Sequence, residues 1–240
     1  MLTPSPCLLV SLSAFLYLLR VNFNGQSDNF ERRLSIRVAQ TANRIFTRVY
    51  HHVDVFSPSC LPRTGPAILA CNHVSGLDPM LVQSACSRMI VWMMAKEYYD
   101  LKALKWFYET IEAIPVARSG RDMAATRAAL RDLHNGRVIG IFPEGRFEPE
   151  RELLPFQTGM ALMAIKTGVS VHPAYLDGTQ RGKEMVPAIA IPNRVTLGFG
   201  KPLTFKGMGT SKPELEEATR QIRQAVFELR SRSGVDTILG

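Results

Sequence analysis

The chain has 240 residues, with 29 Lys and Arg against 21 Asp and Glu and a formal net charge of +8. That length holds one large α/β domain with a short appendage, and buries a core without disulfides or metal. The excess of positive charge calls for an anionic partner, a lipid surface or a phosphorylated substrate. With two Trp in the chain and no interleaving of aromatic and basic residues, nothing reads as a nucleic-acid platform. The four cysteines, Cys7, Cys60, Cys71 and Cys86, form no C-x-x-C and sit among apolar or small residues. They read as reduced packing residues of a cytosol-facing protein rather than a disulfide frame or zinc site. Cys71 lies two residues before His73, yet nothing nearby marks it as a low-pKa thiolate.

In chain order, residues 1–19 carry no charge, and 7–19 form an apolar run broken only by Ser11 and Ser13. The run lacks the basic start and small-residue cleavage site of a secretory signal. It is also shorter than the ~20 residues that a spanning helix usually needs. The expectation is a shallow or re-entrant membrane anchor, with a marginal transmembrane helix as the competing reading. After a polar break at 22–28, residues 31–52 predict a basic amphipathic helix. Leu34, Val38, Ala42, Ile45 and Val49 recur at helical spacing, and Arg32, Arg33, Arg37, Arg44 and Arg48 supply the charge. Such a helix suits an anionic membrane surface, and a solvated helix packed on its own domain is the plainer alternative; the neighbouring apolar run favours the membrane.

The proline-containing loop 57–66 then separates an N-terminal membrane-associated helical segment, 1–56, from an α/β domain, 57–240. Apolar runs predict strands at 67–71, 89–95, 138–142, 169–176 and 195–199. A helix is expected over 121–134, with Ser119 and Asp122 as an S-x-x-D start and Asn135-Gly136 as the stop. Ser211 and Glu214 form an S-x-x-E capping box for a last helix carrying Leu215, Ala218, Ile222, Ala225 and Leu229 on one face. Alternating strands and helices predict a single mixed-sheet α/β sandwich.

The most informative stretch is Asn72-His73-Val-Ser75-Gly76-Leu77-Asp78-Pro79, where an apolar strand ends and a helix begins. Pro79 suits the first turn of a helix, which makes Asp78 a candidate N-cap. A carboxylate a few residues past a histidine can also hold one ring nitrogen and leave the other as a base toward an alcohol. The spacing alone decides between neither role. Two further stretches, Ile114-Pro115-Val116-Ala117-Arg118 and Phe142-Pro143-Glu144-Gly145-Arg146, place charged groups just past apolar runs. Their guanidinium groups suit a phosphate, and surface ion pairs are the plainer alternative.

Taken in order, these blocks resemble the glycerolipid acyltransferases typified by 1-acylglycerol-3-phosphate acyltransferase. The N-H-x-S-x-x-D block is matched by Asn72, His73, Ser75 and Asp78, and I-P-V-x-R by Ile114 to Arg118. F-P-E-G is matched by Phe142 to Gly145, the following F-x-x-G by Phe156 and Gly159, and the fourth block by Val171-His172-Pro173. The resemblance spans about residues 60–205. It implies a membrane-associated enzyme of phospholipid biosynthesis, at the cytoplasmic face, with His73 as general base and Asp78 orienting it. It further implies a thioester donor, acyl-CoA or acyl-carrier protein, and a lysophospholipid acceptor, with no metal and no separate cofactor. Arg118, Glu144, Gly145 and Arg146 would form the acceptor's phosphate and glycerol site, and Lys96 would assist the oxyanion.

Two departures stand out: Glu112 replaces the glycine usual in the second block, and Arg146 follows Gly145 directly where Thr-Arg is common. Other acceptors, a lysophospholipid, a lyso-ornithine lipid or glycerol 3-phosphate, fit the same blocks. A non-catalytic membrane-binding relative and a hydrolase are the remaining alternatives, the latter without a G-x-S-x-G elbow.

Overall fold

Runs such as Ala67-Ile-Leu-Ala-Cys71 are apolar at every position, which suits a strand covered on both faces rather than a half-solvated one. The computed structural model describes residues 29–102, 104–117, 122–147 and 153–233, with residues 29–35 described by backbone alone. The apolar run 7–19 and its expected anchor lie outside the described residues. Among the described residues eight helices and seven strands follow one another: α1 Asn29–Tyr50, β1 Val53–Ser57, β2 Ala67–Cys71, α2 Asp78–Ala85, β3 Ile90–Ala95, α3 Lys96–Tyr99, α4 Lys105–Thr110, β4 Ile114–Val116, α5 Met123–His134, β5 Val138–Ile141, α6 Gly159–Thr167, β6 Val171–Asp177, α7 Met185–Ile189, β7 Val195–Phe199 and α8 Lys212–Arg232.

The strands form one sheet in the order β1-β7-β6-β2-β5-β3-β4. Pairing is parallel except between β6 and β7, so β1 and β7 run against the other five and the sheet is mixed. The two innermost strands by burial, β2 and β6, have no exposed residue along their length. Their side chains alternate between two cores. One face packs Ile68, Val91, Ile139 and Val171 against α5, α6 and α8. The other packs Leu69, Trp92, Leu176 and Leu197 beneath α2 and α7.

Two strands escaped the sequence reading, and both are edges. β1 is only partly buried, and β4 is three residues long with Pro115 at its centre, a residue tolerated at a sheet edge because one side needs no ladder bond. β1 also crosses the expected 56/57 boundary, pairing along β7. The helix caps are corrected in one case and sustained in another. Asp122, not Ser119, starts α5: its side chain accepts from the amides of Ala124 and Ala125, both at 2.9 Å. Ser119 lies outside the described residues. Ser211 and Glu214 form the expected capping box of α8, whose buried stripe runs through Ala218, Ile222, Val226 and Leu229.

Helix α1 turns its polar side to the domain. Its buried residues are Asn43 and Thr47, with Asn43 Nδ2 donating to the Met80 carbonyl at 2.9 Å. Three of the five residues of its aliphatic stripe instead face outward: Val38, Ile45 and Val49 are 40%, 59% and 69% exposed. Among the described residues no helix is long and apolar enough to cross a membrane. At the block-two departure, Glu112 adopts φ +55°, the left-handed region in which glycine carries no Cβ penalty. Its carboxylate pairs with Arg137.

His51 and His172 are both buried, and burial lowers the pKa of each from the ordinary value of 6.5. Unfolding returns each to a site that binds a proton more readily. Their stabilising contribution is therefore complete above about pH 6.5 and lost as pH falls through the lowered folded-state values. The thermal midpoint is expected to fall on acidification below about pH 6.5, and His172→Gln should flatten that fall in a calorimetric pH series.

Candidate active site

The parallel strands β2, β3, β4 and β5 all end on one rim of the sheet, so the loops that follow them meet in a single crevice, as in other open α/β sheets. From β2 comes the turn 72–77, and from β5 the turn 142–147. Asn72 ties the first turn to the sheet: its Nδ2 donates to the Leu176 carbonyl and its Oδ1 accepts from the Leu176 amide, both at 2.8 Å. In effect a side chain carries the β2–β6 ladder one step past the strand end.

Within the turn, Asp78 Oδ2 accepts three hydrogen bonds: from Val74 N at 2.6 Å, from Ser75 N at 2.8 Å and from His73 Nδ1 at 2.9 Å. The expected N-cap role is thereby corrected. Leu77 precedes the helix, no side chain caps it, and Pro79 occupies the first turn. The carboxylate reaches backward because its partners are the amides of the turn, while the positive end of α2 still favours its charge. Asp78 is fully buried and the His73 side chain 15% exposed. With Nδ1 facing Asp78, Nε2 is the ring nitrogen left to face a substrate, since His73 lines the groove.

Gly76 brings a further segment against the turn. A Cβ there would collide with the main chain of Met185, and the Gly76 amide donates to the Lys183 carbonyl at 2.8 Å. Ser75 Oγ donates to the same carbonyl at 3.1 Å. The 183–185 segment had no signal in the sequence, apart from a glycine with no turn to explain it.

Glu144 is buried and looks inward. Its Oε1 accepts from the His73 amide at 3.0 Å and its Oε2 from the Leu154 amide at 3.2 Å. These bonds lace the β5 loop to the histidine turn and to the segment beyond. Gly145 takes φ +71°, a conformation that favours glycine, and a Cβ there would displace the end of the Gln157 side chain. Arg146 is exposed and lines the groove. Arg118 lies outside the described residues. Lys96 does not join the cluster: it opens α3 on the outer surface, with Nζ 2.7 Å from Asp100 Oδ2, and that carboxylate raises its pKa. An acid four residues on along the helix takes the charge that the resemblance assigned to the oxyanion.

Cys71 is fully buried, and its thiol is pushed well above its ordinary pKa by desolvation first and then by the charges of Asp78 and Glu144. A thiol so placed is no nucleophile at neutral pH. Two aromatic rings lie against the histidine instead, and a third backs one of them. Phe142 stacks on His73 with centroids 3.9 Å apart, Phe147 meets it at 73° and 4.5 Å, and Trp92 stacks beneath Phe142 at 4.7 Å. The sequence reading passed over these rings, although Phe142 stood in the third block.

The crevice opens into a groove of about 1370 Å³, whose lining includes Ile36, Asn43, Met80, Met94, Phe107 and Met163. This exceeds the ~300–1,000 Å³ of sites for drug-sized ligands. The site therefore sets a histidine–carboxylate pair at the mouth of a long, mainly apolar trough, with α1 as part of one wall.

Comparison with known proteins gives the same order of blocks a family. The acyltransferase family model matches residues 52–177. A 1-acyl-sn-glycerol-3-phosphate acyltransferase of Bacillus subtilis is 26% identical over 183 residues, covering 75% of this chain and 89% of that protein. Another protein of that name, from Borreliella burgdorferi, is 31% identical over 126 residues, covering 50% of this chain and 48% of its own. The crystal structure of the 1-acyl-sn-glycerophosphate acyltransferase PlsC from Thermotoga maritima superimposes with a TM-score of 0.72 at 23% identity, over 93% of both chains. That likeness establishes the fold in common.

Because Lys96 is committed to Asp100 on the exposed surface, Lys96→Ala is expected to leave turnover within about twofold of the parent. A loss of a hundredfold in kcat, the scale on which removal of an oxyanion donor registers, would return Lys96 to the site.

Proposed function

The chain belongs to the acyltransferase family and is an acyltransferase, and on that premise we propose that it transfers a fatty acyl group from acyl-CoA or acyl-carrier protein to the free hydroxyl of 1-acylglycerol 3-phosphate, giving phosphatidate. The observation that carries the proposal is the hydrogen bond from His73 Nδ1 to Asp78 at the mouth of an apolar groove. The names of the relatives from Bacillus subtilis and Borreliella burgdorferi support the acceptor.

The chemistry follows from the geometry. His73 Nε2 takes the proton of the acceptor hydroxyl as its oxygen attacks the thioester carbonyl. The tetrahedral intermediate collapses with expulsion of the thiolate, which takes the proton back from the imidazolium. Asp78 holds the ring in the tautomer with a proton on Nδ1 and stabilises the cation formed in between. No acyl-enzyme is formed, and the reaction asks for no metal or redox cofactor. Arg146, exposed on the groove, receives the acceptor's phosphate together with Arg118. Glu144 acts by holding the His73 main chain, and Gly145 by letting the turn close on Gln157. The direct Gly145-Arg146 junction, shorter by one residue than the common block, favours as a second reading an acceptor with a different anionic head.

The proposal extends to the membrane. The outward face of α1 interleaves Val38, Ile45 and Val49 with Arg37 and Arg48, the composition of a helix lying at an anionic lipid surface. Docked by that face on the cytoplasmic leaflet, the groove wall formed by α1 stands next to the lipid from which acceptor and product are exchanged.

Purified protein in detergent, given acyl-CoA or acyl-carrier protein and a panel of lyso-acceptors, is expected to acylate 1-acylglycerol 3-phosphate, as read by mass spectrometry. Transfer to no acceptor would sink this reading, and release of free fatty acid alone would make the enzyme a hydrolase. His73→Ala is expected to abolish detectable transfer, and Asp78→Asn to lower kcat by roughly 10²–10⁴-fold. In vesicle flotation, Ile45→Glu combined with Arg48→Glu should weaken binding to anionic vesicles, and unchanged flotation would move the contact elsewhere.

A further inference from the structure

Three aromatic rings lie one upon another on a single face of the sheet, and the sequence around them is arranged to permit it. Trp92 on β3 pairs with Gly140 on β5. A Cβ on Gly140 would come within 2.5 Å of Trp92 Cε3 and 2.7 Å of Cζ3, so glycine is what lets the indole lie flat across β5. Phe142 follows two residues later, on the same side of the chain, and stacks on that indole at an interplanar angle of 8°. His73 then stacks on Phe142 at 12°.

The spacing of the last pair bears on charge. Neutral aromatic rings favour offset or edge-on packing with centroids ~4.5–7 Å apart, whereas His73 and Phe142 are 3.9 Å apart and nearly parallel. A cation over a ring face is drawn in by the ring's negative quadrupole, most strongly where water is excluded. The arrangement thus suits an imidazolium better than a neutral imidazole. We infer that the Trp92–Phe142 stack, seated by Gly140, is a positioning element that stabilises the protonated His73 ring formed when the acceptor hydroxyl gives up its proton. Phe142 touches the charged ring, Trp92 backs Phe142, and Gly140 acts through Trp92.

This rests on His73 being the base of the proposed reaction. The proton moves from the hydroxyl oxygen to Nε2 as the carbon–oxygen bond forms, and leaves with the sulfur as the carbon–sulfur bond breaks. During turnover the cation exists only between those events, so there the stack acts on the barrier rather than on substrate binding. Other ionisable groups near the ring are Asp78 of α2, which faces it directly, Glu144 of the β5 loop, which bonds its main chain, and the buried Cys71 thiol at the end of β2.

The test is Phe142→Leu, which keeps an apolar side chain beside the imidazole and removes the π face. The acid limb of the kcat/KM profile is expected to move to lower pH by roughly half a unit to one unit. The kcat plateau should fall about tenfold with KM for both substrates within twofold. Phe142→Tyr should restore both readings, and Gly140→Ala should move the limb in the same direction by less. If Phe142→Leu does not fold by circular dichroism, Trp92→Leu and Gly140→Ala carry the test. In parallel, the His73 ring proton, assigned among the five histidines by its loss in His73→Gln, is titrated by NMR without substrate. A lower midpoint in Phe142→Leu together with no acyl transfer by the parent would uphold the stack and overturn the proposed reaction. An unmoved midpoint and an unmoved limb would overturn the stack and reduce Phe142 to packing.

Discussion

One buried oxygen organises the site. Asp78 Oδ2 gathers the amides of Val74 and Ser75 and the Nδ1 of His73, so a single carboxylate both folds the turn and aims the ring. Each of those donors would cost about 1–3 kcal/mol if buried without a partner. The turn therefore has little freedom to place the histidine elsewhere. A second buried carboxylate, Glu144, holds the His73 amide from the opposite loop, and Asn72 fixes the base of the turn to β6. The consequence is a histidine with its main chain and one ring nitrogen committed and the other nitrogen turned to the groove. This is pre-organisation achieved by hydrogen bonds to backbone, which a substrate has no need to assemble.

Buried carboxylates so near one another are costly unless their charge is satisfied. Here Asp78 Oδ2 and both oxygens of Glu144 are met mostly by main-chain N–H, with the end of α2 added for Asp78, while Asp78 Oδ1 is buried without a hydrogen-bond partner among the described residues. The same charges push the Cys71 thiol upward, so the arrangement that equips the histidine also silences the nearest cysteine. Aromatic rings close the remaining sides of the imidazole. They exclude water without bringing in a competing donor, and water exclusion strengthens each of the electrostatic contacts beneath.

Much of this was legible in the residues, and the illegible parts share a cause. The strands covered on both faces announced themselves as continuous apolar runs, because neither face has to compromise with water. The edge strands β1 and β4 carried mixed or proline-containing sequence and read as connections. His73 and Asp78 were found through their block, yet the block said nothing of the direction in which the carboxylate turns. A helix-start signature, Asp-Pro, pointed to capping, and only the turn's amides, brought within reach by the fold, reversed it. Lys96 shows the opposite failure: its position past β3 matched expectation, but the side chain's partner was an aspartate four residues along its own helix. The ring stack depends on Gly140 and Trp92 being cross-strand neighbours, a relation between residues 48 positions apart that no local pattern records.

Helix α1 shows a periodicity of which the domain makes little use. Its aliphatic stripe is real, but the domain takes the other face, where small and polar residues such as Asn43 and Thr47 let α1 pack closely against α2. A helix that turns polar atoms to its own protein and valine and isoleucine outward gains little from packing alone and gains most when a second apolar phase covers the exposed stripe. The same helix supplies Ile36, Ala39 and Asn43 to the groove. In the proposed docking, contact with lipid and opening toward the substrate would be properties of two faces of one element. An acyl acceptor leaving the bilayer would meet the groove wall before it met bulk water, and its apolar chain would pass from one low-dielectric medium to another while only the head reached Arg146 and His73. For the proposed reaction, whose substrate and product are both amphiphiles, that placement would lower the desolvation penalty along the path and leave the polar site to deal with a hydroxyl and a phosphate.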